Sequence, residues 1–102
     1  MDPHKYAVGF PSERAEKEFH KVLFKASQKE RRRILEWFDK LAVDPRPAGK
    51  NFKFLKGEVS IFQYLANYRI REGDWRILYD IDEIHKRVIL LALRRRGPHN
   101  YD

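Results

Sequence analysis

No cysteine occurs among the 102 residues. That absence removes disulfides, thiolate metal sites and thiol nucleophiles together, so any core must hold by packing alone. Long apolar runs are missing as well: the longest, Val88 to Leu93, falls far short of the ~20 residues a membrane-spanning helix needs. The start, Met-Asp-Pro-His-Lys-Tyr, has an early acid and no apolar stretch after its lysine, so it does not read as a secretory signal. A cytoplasmic protein with no membrane association is the expectation. There is no Gly-rich phosphate loop, no nucleophile-elbow serine and no heptad series long enough for a coiled coil. His4, His20, His85 and His99 show no metal-ligand spacing, and neither a metal nor another cofactor is expected.

What the chain has in excess is positive charge. Its 22 Lys and Arg against 15 Asp and Glu give a net charge of +7, with an isoelectric point near 9.8. Apolar residues make up 42% and aromatic ones 14%, enough for one core and too many for a disordered basic tail. A single domain over residues 1–102 is expected. The surplus charge on so small a surface favours a polyanionic partner: nucleic acid, a ribosome or an acidic protein.

Periodicity orders the elements. Tyr6, Val8 and Phe10 alternate as a short half-buried strand that Pro11 ends. Ser12 can cap a helix over 12–25, with Ala15, Phe19, Val22 and Leu23 on its apolar face. Ser27-Gln-Lys-Glu30 spells a capping box, and Ile34, Leu35, Phe38, Leu41 and Ala42 form a stripe that Asp44-Pro45 stops. The two helices should pack as a hairpin. Beyond the loop at 45–49 the helical period vanishes. Val59, Ile61 and Tyr64-Leu65 suggest extended chain, with a bulge expected near Ala66-Asn67. Tyr68 to Arg71, a turn at 72–74, and Trp75 to Ile81 spell a β-hairpin. A second turn over 82–86 leads into Val88 to Leu93, apolar on both faces as a central strand is. The fold class is therefore α+β: an N-terminal strand, a two-helix hairpin, then an antiparallel meander forming one sheet packed on the helices. Phe19, Phe38, Trp75 and Tyr79 are assigned to its core.

Packing does not account for the arginines. With Glu72 and Gly73 as a two-residue loop, Arg71 faces Asp74, Ile70 faces Trp75 and Arg69 faces Arg76. Tyr68, Ile70, Trp75, Ile77 and Tyr79 then share the core side, leaving Arg69, Arg71 and Arg76 on the other. Like charges directly opposed across a ladder destabilise it by up to about 1 kcal/mol, so an anion is the simplest reason to keep them. Guanidinium forks donate paired hydrogen bonds to phosphate oxygens and stay charged. The competing reading is a solvated face whose arginines splay toward local carboxylates. Arg94-Arg95-Arg96 adds charge at the end of the last strand, and His99 and Tyr101 follow with the only nearby groups suited to acid–base work. A frayed terminal peptide is the alternative for those two.

The stretch Tyr68-Arg-Ile-Arg-Glu-Gly-Asp-Trp-Arg-Ile-Leu-Tyr79 resembles the signature of the RelE/ParE toxin superfamily of type II toxin–antitoxin systems. The first strand, the helical pair, the Asp44-Pro45 turn and the Lys53-Phe-Leu-Lys-Gly57 approach fall in the family's order. The resemblance implies a small toxin whose antiparallel sheet packs on a helical hairpin. A cognate antitoxin wraps it, and operator DNA is met only through that complex. On the RelE-like branch it implies a metal-independent endoribonuclease that enters the ribosome and cuts mRNA by attack of a ribose 2′-OH on the adjacent phosphate. The family's basic pair maps to Arg69 and Arg71, its arginine after the turn to Arg76, its basic residue after the last strand to Arg95 or Arg96, and its terminal tyrosine to Tyr101.

RelE has lysines where Arg69 and Arg71 stand, and a guanidinium is a poor proton acceptor, which leaves His99 as the candidate base. The stretch 58–67 is longer than the family's usual approach. Lys53, Lys56, Arg94, Arg31 and Arg32 complete the expected RNA contacts. Two rivals share the motif: a ParE-like poison that binds DNA gyrase without cutting RNA, and an inactive member kept as an antitoxin partner or co-repressor.

Overall fold

The computed structural model describes residues 5–96, the side chain of Glu58 excepted. Both serines singled out as caps start helices. Ser12 Oγ accepts from the Ala15 amide at 3.2 Å ahead of α1 (Glu13–Leu23). Ser27 and Glu30 exchange both bonds of a capping box, at 3.1 and 2.8 Å, ahead of α2 (Gln28–Val43). Glu13 and Glu16 at the start of α1, and His20 and Lys21 at its end, match the sign of the helix dipole at each terminus.

Five described strands accompany the helices: β1 (Ala7–Gly9), β2 (Phe52–Ile61), β3 (Tyr64–Glu72), β4 (Trp75–Asp82) and β5 (Arg87–Arg95). They form one sheet in the order β1-β5-β4-β3-β2. The fold is α+β, and β2 to β5 are the antiparallel meander read from the sequence. β1 pairs with β5 in parallel, so the sheet is mixed rather than wholly antiparallel. Parallel neighbours need a long crossover, and both helices and three strands separate these two in the chain. No helix among the described residues is long and apolar enough to cross a membrane.

The helices cover one face of the sheet. Phe19, Leu23, Ile34, Trp37 and Leu41 from the helices meet Tyr68, Ile70, Trp75, Ile77, Tyr79, Val88, Leu90 and Leu93 from the strands in the main core. Phe19 and Phe38 join α1 to α2 edge to face, with ring centroids 5.8 Å apart. One member of the expected α2 stripe is displaced: Leu35 is 44% exposed and Trp37 is buried instead. Counting from Ile34, offsets of three, four and seven reach Trp37, Phe38 and Leu41, whereas Leu35 lies about 100° around the helix. Tyr79, fully buried, donates its hydroxyl to the Pro45 carbonyl at 2.7 Å. Burial pushes its phenol far above the ordinary value, so it stays a neutral donor tying β4 to the end of α2.

The turn between β3 and β4 also differs from expectation. Glu72 pairs with Trp75, Arg71 with Arg76 and Arg69 with Leu78, which makes Gly73-Asp74 the loop. Primed two-residue turns need a positive φ at their first position. Gly73 supplies it at φ 58°, which Glu72 would adopt only under strain. The loop moves by one residue but the register moves by two, so every side chain keeps its face. The expected bulge lies at the level of Asn67 but on the facing strand: pairing jumps from Phe54↔Tyr68 to Val59↔Ala66. Lys56 and Gly57 take positive φ inside that insertion. Beyond it the β2–β3 hairpin reaches back to α1, where the Arg14 guanidinium lies 4.1 Å from the Phe62 ring centroid. A smaller cluster of Leu55, Ile61, Ala66, Leu78 and Leu91 packs on the face away from the main core.

Truncating a side chain wholly inside the main core tests this layering. Ile77→Ala should lower stability by about 2–5 kcal/mol in urea unfolding, while Leu35→Ala stays within about 0.5 kcal/mol. Equal losses at the two positions would contradict the packing described.

Candidate nucleic-acid interface

Successive side chains leave a strand on opposite faces. Tyr68 and Ile70 enter the core under the helices, so Arg69 and Arg71 emerge on the other face. Register supplies their neighbours. Arg71 stands opposite Arg76, and Arg76 stands opposite Arg94. Three guanidinium side chains therefore rise in one line across β3, β4 and β5, at strand spacings of about 4.8 Å. In the next row Lys53 faces Arg69, which faces Leu78. Arg69 and Arg76 are each only 5% exposed, Arg71 and Arg94 are half-buried, and Lys53 is exposed. The result is a basic floor with a basic rim.

Arg76 is oriented by the turn beside it. Its Nη1 donates to the Gly73 carbonyl at 2.8 Å and to the Trp75 carbonyl at 3.0 Å. Glu72, next to Arg71 in sequence, faces the helices and accepts from Trp37 Nε1 at 2.8 Å. Glu30 likewise accepts from Trp75 Nε1 at 2.9 Å. The Ser27 amide first, then the Trp75 indole, hold the Glu30 carboxyl below its ordinary value. These two acids are thus engaged on the helix side of the sheet.

Placement sorts the expected residues. Arg69, Arg71 and Arg76 share one face, as alternation required. Arg94, expected only as an RNA contact, is the residue of β5 that completes the line. Arg95 is opposite Trp75 and lies on the core side, 5.8 Å from that ring's centroid. A bulge between Leu78 and Tyr79 in the β4–β5 register sets this phase, and strand alternation in the apolar run gave no sign of it. Arg96 donates its amide to the Asp74 carbonyl at 2.6 Å, and its side chain is exposed at the end of β5. Lys56 is exposed in the β2 insertion. Arg31 and Arg32 lie on α2, in the layer behind the sheet, where the Arg31 guanidinium sits 5.9 Å from the Phe24 ring centroid; the fold does not bring them to the arginine line. His99 and Tyr101 fall outside the described residues. Among the described residues no group of three His, Asp or Glu side chains gathers as metal ligands.

Such a surface can hold a phosphate by charge-assisted, paired hydrogen bonds and can stabilise negative charge that grows on it. The arginines themselves accept no proton, because guanidinium groups do not lose one at working pH.

Solved structures show what the fold is similar to. The RelBE2 toxin–antitoxin complex from Mycobacterium tuberculosis aligns with a TM-score of 0.64 and 25% identity over 90% of this chain and 99% of that one. The archaeal RelE–RelB complex from Pyrococcus horikoshii aligns with a TM-score of 0.64 and 24% identity over 92% and 98%. The chain has the RelE fold. A free Escherichia coli RelE carrying two arginine-to-alanine changes aligns more distantly, with a TM-score of 0.53 and 15% identity over 89% and 83%. No family model and no curated protein matches the sequence at a significant level. The resemblance read from Tyr68 to Tyr79 and the RelE-like neighbours agree.

Glu30 gives this RelE fold a pH dependence of definite sign. A carboxyl held low in the folded state contributes stability above its unfolded pKa and loses it as pH falls through the lowered value. Glu30→Gln should therefore be less stable than the parent chain at neutral pH, with the gap closing below the ordinary glutamate range near ~4.3. Urea midpoints across that range check it, and a gap that widens on acidification would refute the assignment.

Proposed function

We propose that this chain is the toxin of a type II toxin–antitoxin pair and that it cuts mRNA on the ribosome without a metal ion. The observation carrying the proposal is the line Arg71–Arg76–Arg94 with Arg69 beside it, on the sheet face the helices leave open. The RelE-like neighbours, two of them complexes with RelB-type partners, support the toxin reading and a cognate antitoxin.

In the reaction, a ribose 2′-oxygen attacks the adjacent phosphorus, the bond to the 5′-oxygen breaks, and a cyclic phosphate and a 5′-hydroxyl are left. The phosphate gains negative charge on the way. Arg71, Arg76 and Arg94 grip its non-bridging oxygens, with Arg69 beneath and Lys53 on the neighbouring strand, so they bind the transition state more tightly than the ground state. Two proton transfers remain: one from the 2′-hydroxyl and one to the 5′-oxygen. His99 is assigned the first, and Tyr101 the second or a stacking contact that sets the 2′-hydroxyl in line. Arg96 and Lys56 serve as outlying backbone contacts, and the cytoplasm is the site of action.

Cleavage of mRNA on purified ribosomes in chelator tests this. The parent chain should leave breaks within codons, and Arg71→Ala should slow them by about 10²–10³ without changing the unfolding free energy in urea by more than about 0.5 kcal/mol. Intact messenger together with DNA damage on expression would instead assign the gyrase-directed activity, and a fully active Arg71→Ala would remove the phosphate role.

A further inference from the structure

The residues closing the β3–β4 turn are held from behind. Glu72 and Trp75 form the last register pair before Gly73-Asp74. Each side chain makes one hydrogen bond to α2: Glu72 Oε1 accepts from Trp37 Nε1 at 2.8 Å, and Trp75 Nε1 donates to Glu30 Oε2 at 2.9 Å. Two tryptophan–glutamate bonds of reversed polarity thus fasten both strands at the turn. Glu30 is itself fixed by the capping box that starts α2. On the other side of the sheet, the carbonyls of Gly73 and Trp75 hold Nη1 of Arg76. The turn links the two sets of bonds.

We propose that α2 positions Arg76 through this turn, with Trp37, Glu30 and Glu72 as positioning residues and the Gly73 and Trp75 carbonyls as contacts that orient the guanidinium. A long, flexible side chain is useful at a reacting phosphate only when held in one orientation, and a small misplacement of such a group costs rate rather than affinity. Gly73 belongs to the device through its backbone. A Cβ there would meet nothing within 4 Å, so space does not require glycine, but its φ of 58° does. The effect on catalysis rests on the phosphate role proposed for Arg76; the orientation of Arg76 does not.

The test reads the two parts separately on the full, folded chain. NMR relaxation of the Arg76 side-chain Nε–H, measured without RNA, reports its order directly. Trp37→Phe and Glu72→Ala should loosen Arg76, whereas Glu72→Gln, which keeps an acceptor for the indole, should not. On ribosomes, Trp37→Phe should lower kcat by about 10- to 100-fold with KM within about twofold. It should cost nothing further in an Arg76→Ala background. At the turn, Gly73→Asn, which tolerates positive φ, should retain more activity than Gly73→Val.

An Arg76 as rigid in Trp37→Phe and in Glu72→Ala as in the parent chain overturns the proposal. If Trp37→Phe fails to fold, the comparison of Glu72→Gln with Glu72→Ala decides. Loosened Arg76 with unchanged RNA cleavage leaves the positioning intact and removes the phosphate role instead.

Discussion

Guanidinium groups set directly opposite one another across a β ladder repel, and the arginine line on this sheet depends on the chain tolerating that repulsion. The cost is up to about 1 kcal/mol for each opposed pair. On the reverse side of the same strands, burying residues such as Ile70, Ile77 and Leu90 contributes about 1.5–3 kcal/mol each. Period-two alternation lets one set of strands do both. The helices cover the main core, and the stability gained there, with the smaller apolar cluster beside the arginines, offsets the opposed cations.

Much of this was legible in the sequence because it is written in local signals. Ser12, Ser27 and Glu30 mark helix starts by hydrogen-bond chemistry that acts over three residues, and those bonds are in place. The alternation from Tyr68 to Tyr79 separated arginines from core residues correctly even though the loop was misplaced by one position, since the resulting two-residue register shift preserves parity. Trp37 was hidden because Leu35 beside Ile34 looked like a better stripe, and only the helical angle distinguishes them.

The β5 end was not legible, for a different reason. Val88 to Leu93 is apolar at every position, so nothing local reveals that one residue is inserted opposite Leu78 and Tyr79. That insertion decides whether Arg94 or Arg95 joins Arg71 and Arg76. The same holds for the β2 insertion, where Lys56 and Gly57 bend the strand and the consequence appears far away, at the contact between Phe62 and Arg14. Bulges are long-range decisions taken by facing strands. A functional face assembled from several strands inherits that ambiguity.

The proposed chemistry requires RNA to meet the sheet on its arginine side. Its most direct test is a structure of the protein on a ribosome carrying mRNA with a 2′-O-methyl group at the cleavage position. The predicted result is one phosphate lying against Arg71, Arg76 and Arg94, with the helices turned away from the message. A message running along α1 and α2, with the arginine line facing away from it, would contradict the account.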